Sequence, residues 1–329
     1  MTAVGDRIRW GIAATGGIAR GFAQGLAETA DAHTVAVASR SAERAESFGA
    51  EFDIPHRHAS YEDLAADDDV DIVYVATPHS RHEDDTMLFL EAGKHVLCEK
   101  PFALNERQAR RMVGTARERG LFVMEAIWSR FLPAYVILGE LLAESAIGEV
   151  DSVDADFGLQ FPWDPSHRLF DLALGGGALL DLGIYPLQLA SLVLGAPAQV
   201  HAVGALGSTG ADEHVAAVLA HERGALATIR AATRVNLECT ARIANSDGVI
   251  ALPAFMHCPD SLTITTPRGA ERLDAPIVGQ GLRYQVGEVH RCLRSGALES
   301  PAIPHAETLS LAATMDRIRA EIGVVYPGE

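Results

Sequence analysis

Lysine is nearly absent from this 329-residue chain: of 27 basic side chains only Lys94 and Lys100 are lysines, and the other 25 are arginines. Where almost every cation has become arginine, a surviving amine raises the question of whether the chemistry there needs one. Basic charge as a whole is in deficit. Against 44 Asp and Glu residues the formal net charge is −17. That argues against a nucleic-acid partner, because a polyanion is repelled, yet it leaves room for a local basic pocket around a phosphorylated cofactor. Cysteine is sparse too. Cys98, Cys239, Cys258 and Cys292 form no Cys-x-x-Cys pair, which fits a reducing cytoplasm and offers no metal-site spacing. No apolar run reaches the roughly 18 residues that span a bilayer, and Met1 to Trp10 lacks the apolar stretch of a signal sequence. The expectation is a cytoplasmic protein with no membrane or nucleic-acid partner and no metal site.

What remains is ordinary globular material. The length suits two domains of about 150 residues, and 48% hydrophobic residues supply their cores. The first part alternates strand and helix. Apolar strands are expected at 7–13, 34–39, 71–77, 95–98 and 121–124, with helical stretches between them. Ile18, Phe22 and Leu26 recur at the spacing of one buried helix face. Such alternation predicts an α/β fold with a doubly wound parallel sheet, a Rossmann-type domain over residues 1–128. Beyond Trp128 the pattern changes. A helix at 134–144, a strand at 150–157, a loop at 158–174 and a helix at 178–194 lead into strands at 199–206, 214–221, 226–233, 239–245 and 262–266. Closing helices follow at 283–294 and 307–322. Grouped strands of this kind predict an α+β domain over residues 129–329 with a large open, mainly antiparallel sheet.

The first strand runs into a glycine turn, Ala14-Thr15-Gly16-Gly17-Ile18-Ala19. It matches the Gly-x-Gly-x-x-Gly/Ala spacing of a dinucleotide site except that Ala14 replaces the first glycine. Backbone N–H groups and a helix N-terminus would there meet a pyrophosphate. About 20 residues on, where NAD-binding chains place an acid for the ribose, this chain has Ser39-Arg40, followed by Arg44. A guanidinium suits a 2′-phosphate, so NADP is favoured over NAD.

Glu99-Lys100-Pro101 ends a strand of the same sheet, on the side where open α/β sheets bind ligands. Lys94 precedes that strand on a Gly-Lys turn and reads as a surface lysine. Further on, Gly175-Gly176-Gly177 opens the helix that carries Asp181 and Tyr185, four residues apart and so on one helical face. A carboxylate and a phenol side by side can orient substrate hydroxyls and move a proton. Trp128, Phe157, Phe161 and Trp163 could pack a ring-shaped substrate, and Arg168 could meet a hydroxyl or a phosphate. His214 and His257 show no metal-ligand spacing and read as structural.

Several segments together carry a family resemblance over essentially the whole chain. They are Trp10-Gly-Ile12, Gly16-x-Ile18-Ala19, Ala76-Thr77-Pro78-His79 with His82, Glu99-Lys100-Pro101, and Gly175 through Asp181 to Tyr185. The chain resembles the glucose–fructose oxidoreductase / inositol dehydrogenase (Gfo/Idh/MocA) family. Leu97 to Pro101 and Met124 to Phe131, which includes Arg130, look most like the dimeric dihydrodiol dehydrogenases, and NADP-dependent aldose 1-dehydrogenases share much of the pattern. The resemblance implies Lys100 as catalytic lysine, Tyr185 as acid/base and Asp181 as substrate-orienting carboxylate. It places the cofactor on Thr15, Gly16, Gly17, Ile18, Ser39, Arg40, Arg44, Thr77, Pro78, His79, His82, Glu99 and Lys100. It places the substrate on Trp128, Arg130, Phe157, Phe161, Arg168, Asp181 and Tyr185. A homodimer or higher homo-oligomer through the second domain's sheet is implied as well. Two departures stand out: Ala14, and His79 where many relatives have asparagine.

The expected reaction moves a hydride between a cyclic polyol and the nicotinamide, with the ammonium of Lys100 favouring the phenolate of Tyr185. The polyol is an aldopyranose at C1 or a trans-dihydrodiol; both offer vicinal hydroxyls on a ring. The alternative is a non-catalytic NADP- or sugar-sensing protein on the same fold. Retention of Lys100, Asp181 and Tyr185 favours the enzyme. A metal-dependent hydrolase has no ligand cluster behind it.

Overall fold

The structure is a computed structural model that describes residues 7–329. Residues 1–6, part of the stretch read above for a signal sequence, lie outside the described residues. Two compact units emerge. Among the described residues the first comprises 7–103, Arg107–Phe131 and Val278–Thr308; the second comprises Leu104–Glu106, Leu132–Ile277 and Leu309–Glu329.

In the first unit the chain runs β1 (Ile8–Ala13), α1 (Gly17–Ala27), β2 (Ala32–Ala38), α2 (Ala42–Glu51), β3 (His56–His58), α3 (Tyr61–Ala65), β4 (Ile72–Val75), α4 (His82–Glu91), β5 (His95–Glu99), α5 (Glu106–Arg119) and β6 (Val123–Ala126). All neighbours in the sheet are parallel, in the order β3-β2-β1-β4-β5-β6. That order reverses between β1 and β4, which is where such sheets open a ligand crevice. β4 is apolar along its whole length because helices cover both faces. Its Tyr74 stacks on Phe22 of α1, which in turn meets Trp10 of β1 edge-on at 5.3 Å. The buried stripe of α1 differs from the expected one. Ala19, Phe22, Ala23 and Leu26 point inward, whereas Ile18 in the first turn is 41% exposed.

Two expectations are corrected here. Lys94 is not a surface lysine. It is buried, and its compact three-donor ammonium donates to the carbonyls of Asp67 and Val70 at 2.6 and 2.9 Å. Second, the segment 278–308, assigned above to the second domain, packs in the first unit. Its helix α8 (Arg283–Ser295), eighth in chain order, buries Val286, Val289 and Cys292 in the same cluster as Trp10 and Phe22. Trp10 Nε1 donates to His290 Nε2 at 3.0 Å, a contact across 280 residues that periodicity does not foretell.

The second unit begins with α6 (Pro133–Ala143) and β7 (Ser152–Gly158). A π-helical turn (Leu179–Gly183) leads into α7 (Ile184–Leu194), followed by β8 (Gln199–Leu206), β9 (Asp212–Ala220), β10 (Leu226–Ala232), β11 (Ala241–Ala244), β12 (Val249–Leu252), β13 (Ser261–Thr266) and β14 (Gly269–Asp274). The last helix, α9 (His305–Ile322), follows α8. The sheet order is β14-β13-β12-β11-β7-β10-β9-β8, antiparallel except for the parallel pair β7–β10. β3, β12 and β14 were not anticipated. β3 has only three residues, all His or Arg, and β14 is mostly exposed, so neither shows apolar alternation. The turn at 179–183 and α7 pack on one face of the sheet, against β7 and β10. The other face carries exposed Val203, Val218 and Leu226. Contrary to the sequence expectation, Leu172–Leu194 is long and apolar enough to cross a bilayer by composition, yet its apolar window is 78% buried in the protein.

Candidate active site

The dinucleotide end of the first unit is built as its sequence suggests. Gly16 is the N-cap of α1 with no side chain capping the helix, and no acid lies in the first turn. A Cβ at Gly16 or Gly17 would meet nothing within 4 Å. The open N–H groups and the positive helix end thus suit a pyrophosphate, and Thr15 and exposed Ile18 flank them. Ala14 stands in the turn at φ 96. A side chain in that region costs about 1–3 kcal/mol, and the N–H of Ala14 is tied to Ala38 O at 3.0 Å. The fingerprint turn is therefore kept in shape without its first glycine.

At the end of β2, Ser39 is buried, and its Oγ accepts from Ser41 N. Ser41 Oγ in turn caps α2 by accepting from Arg44 N. Arg40 and Arg44 are exposed, and no carboxylate stands between Ser39 and Ala42. This donor set fits an adenosine ribose bearing a 2′-phosphate.

The turn that presents Lys100 is held by buried polar groups. Tyr74 donates its hydroxyl to Glu99 Oε1, and Lys100 N donates to Glu99 Oε2 at 3.3 Å. His82 is fully buried between two carbonyl oxygens, Pro101 O at 2.8 Å and Thr77 O at 2.9 Å. Burial, with the neighbouring His79 next, pushes its pKa down to about 3, so the ring is neutral and donates to one carbonyl at a time. His82 thereby joins the Thr77-Pro78-His79 segment to the Lys100 turn. Thr77 and His79 are buried and Lys100 is half-buried. One contributor was missed from sequence. Glu125, on β6, accepts the N–H of Phe102 at 3.0 Å, and burial raises its pKa to about 7. Its place in an apolar strand beside Met124 was the available signal.

In the second unit Arg168 forms a two-pronged pair with Asp181, at 2.8 and 3.3 Å. Asp181 is buried while the Arg168 side chain is half exposed. Arg168 therefore orients the carboxylate, a partner that neither a hydroxyl nor a phosphate reading anticipated. The helix expected at 178–194 contains the π turn, so Asp181 and Tyr185 are not related by a regular α-helical turn; such widened turns recur at functional sites. Tyr185 is buried, edge-on to Phe157 at 5.5 Å and 4.9 Å from the ring of His257. The same His257 lies 4.5 Å from Phe157, so the histidine read as structural belongs to the aromatic group around Tyr185. Asp212, also missed, anchors the start of this helix by accepting from Leu179 N at 2.7 Å, and burial lifts its pKa to about 6. Gly177, at φ 137, leaves the space that this carboxylate occupies.

The expected substrate residues divide. Phe157 joins Tyr185. Phe161 is half-buried, with its carbonyl accepting from Arg234 at 2.9 Å. Trp128 packs against the first unit's core. Arg130 is a correction: its side chain is 3% exposed and engaged with Glu307 at 2.5 Å and Ala302 O at 3.3 Å. Within the first unit it ties the turn after β6 to the segment around Ala302 and Glu307, so its guanidinium is engaged by the protein.

Comparison with known proteins agrees with this architecture. Residues 8–127 match the oxidoreductase family with an NAD-binding Rossmann fold, and residues 135–251 match the GFO/IDH/MocA C-terminal domain. The chain is 39% identical to a trans-1,2-dihydrobenzene-1,2-diol dehydrogenase of Danio rerio, over 97% of this chain and 98% of that one. Among solved structures it resembles KijD10, a 3-ketoreductase from Actinomadura kijaniata in complex with NADP and TDP-benzene, with TM-score 0.87, 29% identity, and coverage of 96% and 98%. An aldose-aldose oxidoreductase from Caulobacter crescentus, complexed with glycerol, superposes with TM-score 0.88 at 26% identity, over 96% and 97% of the chains. The chain belongs to the GFO/IDH/MocA oxidoreductase family.

Glu125 gives a testable pH dependence. Its folded pKa of about 7 lies above the ordinary 4.5, so the folded state binds the proton more tightly. Its contribution is neutral below pH 4.5 and increasingly destabilising as pH rises to 7, by about 3 kcal/mol in full. Glu125→Gln keeps an acceptor for Phe102 and removes the titration. Urea unfolding should show the variant gaining on the wild type between pH 5 and 8, whereas parallel stability curves would contradict the assignment.

Proposed function

We propose that the protein is an NADP-dependent dehydrogenase acting on a cyclic polyol, a trans-dihydrodiol or an aldopyranose at C1. The end-to-end similarity to dihydrodiol dehydrogenases, with Lys100, Asp181 and Tyr185 all present in this chain, is the observation that carries this reading. The N–H groups around Gly16 and Gly17 would hold the pyrophosphate. Ser39, Arg40 and Arg44 would take the 2′-phosphate, and Thr77 to His79 with Lys100 would border the nicotinamide. When bound, NADP supplies the hydride chemistry.

The chain's own residues supply orientation and proton transfer. Asp181, fixed by Arg168, accepts hydrogen bonds from substrate hydroxyls. Tyr185 takes the carbinol proton in the oxidative direction. A free phenol titrates near 10 and is a weak base at neutral pH; an adjacent ammonium favours its phenolate. That role falls to Lys100, because an arginine stays protonated and cannot share the proton. Ring-shaped substrates suit the aromatic wall of Phe157 and His257 beside Tyr185. A second copy of the chain is assigned to the open sheet face bearing Val203, Val218 and Leu226, which makes the working form a homo-oligomer.

A substrate panel tests the function directly. With NADP+, at least one of D-xylose, D-glucose and a trans-dihydrobenzenediol should give NADPH; tight NADP+ binding without turnover on any would point to a sensor. Lys100→Met should lower kcat by about 10²–10⁴-fold with cofactor binding retained, and near-normal kcat would remove its assigned role. Arg40→Ala should weaken NADP+ by about tenfold to a hundredfold and NAD+ far less, as read from the KM for each; equal losses would place 2′-phosphate recognition elsewhere.

A further inference from the structure

Away from this site, at the β3 edge of the parallel sheet, three side chains converge that the proposed reaction does not use. His56 and His58 are two apart on β3 and so project to the same side of the strand. Asp67, in the loop between α3 and β4, enters between them. Its Oδ2 lies 2.7 Å from His56 Nδ1 and 2.9 Å from His58 Nε2. One donor atom from each of the three residues falls within 4.8 Å of the others. The carboxylate is 8% exposed, while the two imidazoles are 38% and 22% exposed, so the cluster is formed inside but reachable from solvent.

We propose that His56, His58 and Asp67 bind a divalent transition-metal ion of the Zn2+, Co2+ or Ni2+ type. Two imidazoles and one carboxylate are the donor set these ions prefer, unlike the all-oxygen sets of Mg2+ and Ca2+. Bonds of about 2.0–2.2 Å at tetrahedral angles place ligand atoms about 3.4 Å apart. The existing N···O separations open to that value by a shift of about half an ångström, and water completes the shell. The orientation of the carboxylate is already set, because Asp67 Oδ1 accepts from Asp69 N at 2.9 Å. The loop itself is fixed by Lys94, which donates to Asp67 O and Val70 O.

The proton count closes without a further reactant. As the metal takes its place on each Asp67-facing ring nitrogen, the proton there is released to solvent or passes through it to the other ring nitrogen. For His56 that other nitrogen, Nε2, lies 3.9 Å from Asp69 Oδ2. A shift of about half an ångström brings this carboxylate within hydrogen-bond reach of the relocated N–H, as the usual outer partner of a metal-bound histidine. The local field also favours a dication. Asp67, Asp68, Asp69 and Asp71 fall within five residues, and Arg9, paired with Asp69 and Asp71, and Lys94 are the cations beside them. Bound there, the metal ties the three-residue edge strand β3 to the α3–β4 loop, a structural role independent of turnover.

The test uses the full chain, stripped with chelator and then titrated with Co2+ and Zn2+. One equivalent of Co2+ should bind and develop the visible bands of a low-coordinate N/O site. His56→Gln with His58→Gln should abolish this uptake. Asp69→Asn, which leaves the three ligands in place, should weaken it by about tenfold to a hundredfold. Should the double variant fail to fold, the wild type still decides the matter: Zn2+ should protect His56 and His58 from diethyl pyrocarbonate, read by mass spectrometry. Absence of stoichiometric Co2+ uptake, uptake unchanged in the double variant, or no protection of the two histidines would overturn the site and leave a hydrogen-bonded clamp.

Discussion

The buried polar groups of the first unit converge on a single turn, the one that carries Lys100. Lys100 follows a strand in which every side chain but the first is buried, and its neighbours are fixed by groups that water does not reach. Glu99 is bound by Tyr74, Pro101 O by His82, and the Phe102 N–H by Glu125. Buried polar groups are stable only when partnered, and here each partner belongs to a different strand or helix of the same unit. The position of the amine is therefore a property of the whole parallel sheet. Loosening any of these bonds leaves a desolvated polar atom alone, which costs about 1–3 kcal/mol.

The two lysines that survive a drift to arginine do so for different reasons. Lys100 stands at the carboxyl end of β5, where the proposed reaction calls for a titratable amine. Lys94 satisfies two carbonyls in a confined space, with an ammonium whose pKa is lowered chiefly by burial. Ala14 shows a similar economy. A residue with a side chain occupies a backbone region that glycine usually fills, and the hydrogen bond to Ala38 keeps the turn in its dinucleotide-binding form.

In the second unit the corresponding constraint is the start of the helix bearing Asp181 and Tyr185. The glycine triplet turns the chain tightly enough for Asp212 to reach the helix's first N–H groups. The π turn then inserts a wider coil before α7, and Arg168 locks Asp181 from the preceding loop. The glycines were visible as a turn, and the four-residue spacing was visible as a helix. The His257 contact comes from a residue 72 positions beyond Tyr185, and neither it nor the Arg168 partner follows from the helical spacing.

The sequence by itself determined what depends on short-range periodicity and on fixed local chemistry. Apolar strands alternating with helices in the first part, grouped strands in the second, the glycine turn, the missing acid after β2 and the Glu-Lys-Pro stretch were all legible within windows of a few residues. Tertiary structure alone decided where side chains find partners across long separations. It buried Lys94, turned Arg130 onto Glu307, and returned α8 to the first unit through Trp10 and His290. The physical reason is the same in each case. Burial and pairing are set by which elements pack together, and a hydrogen bond between residues 280 apart leaves no signature in either local stretch.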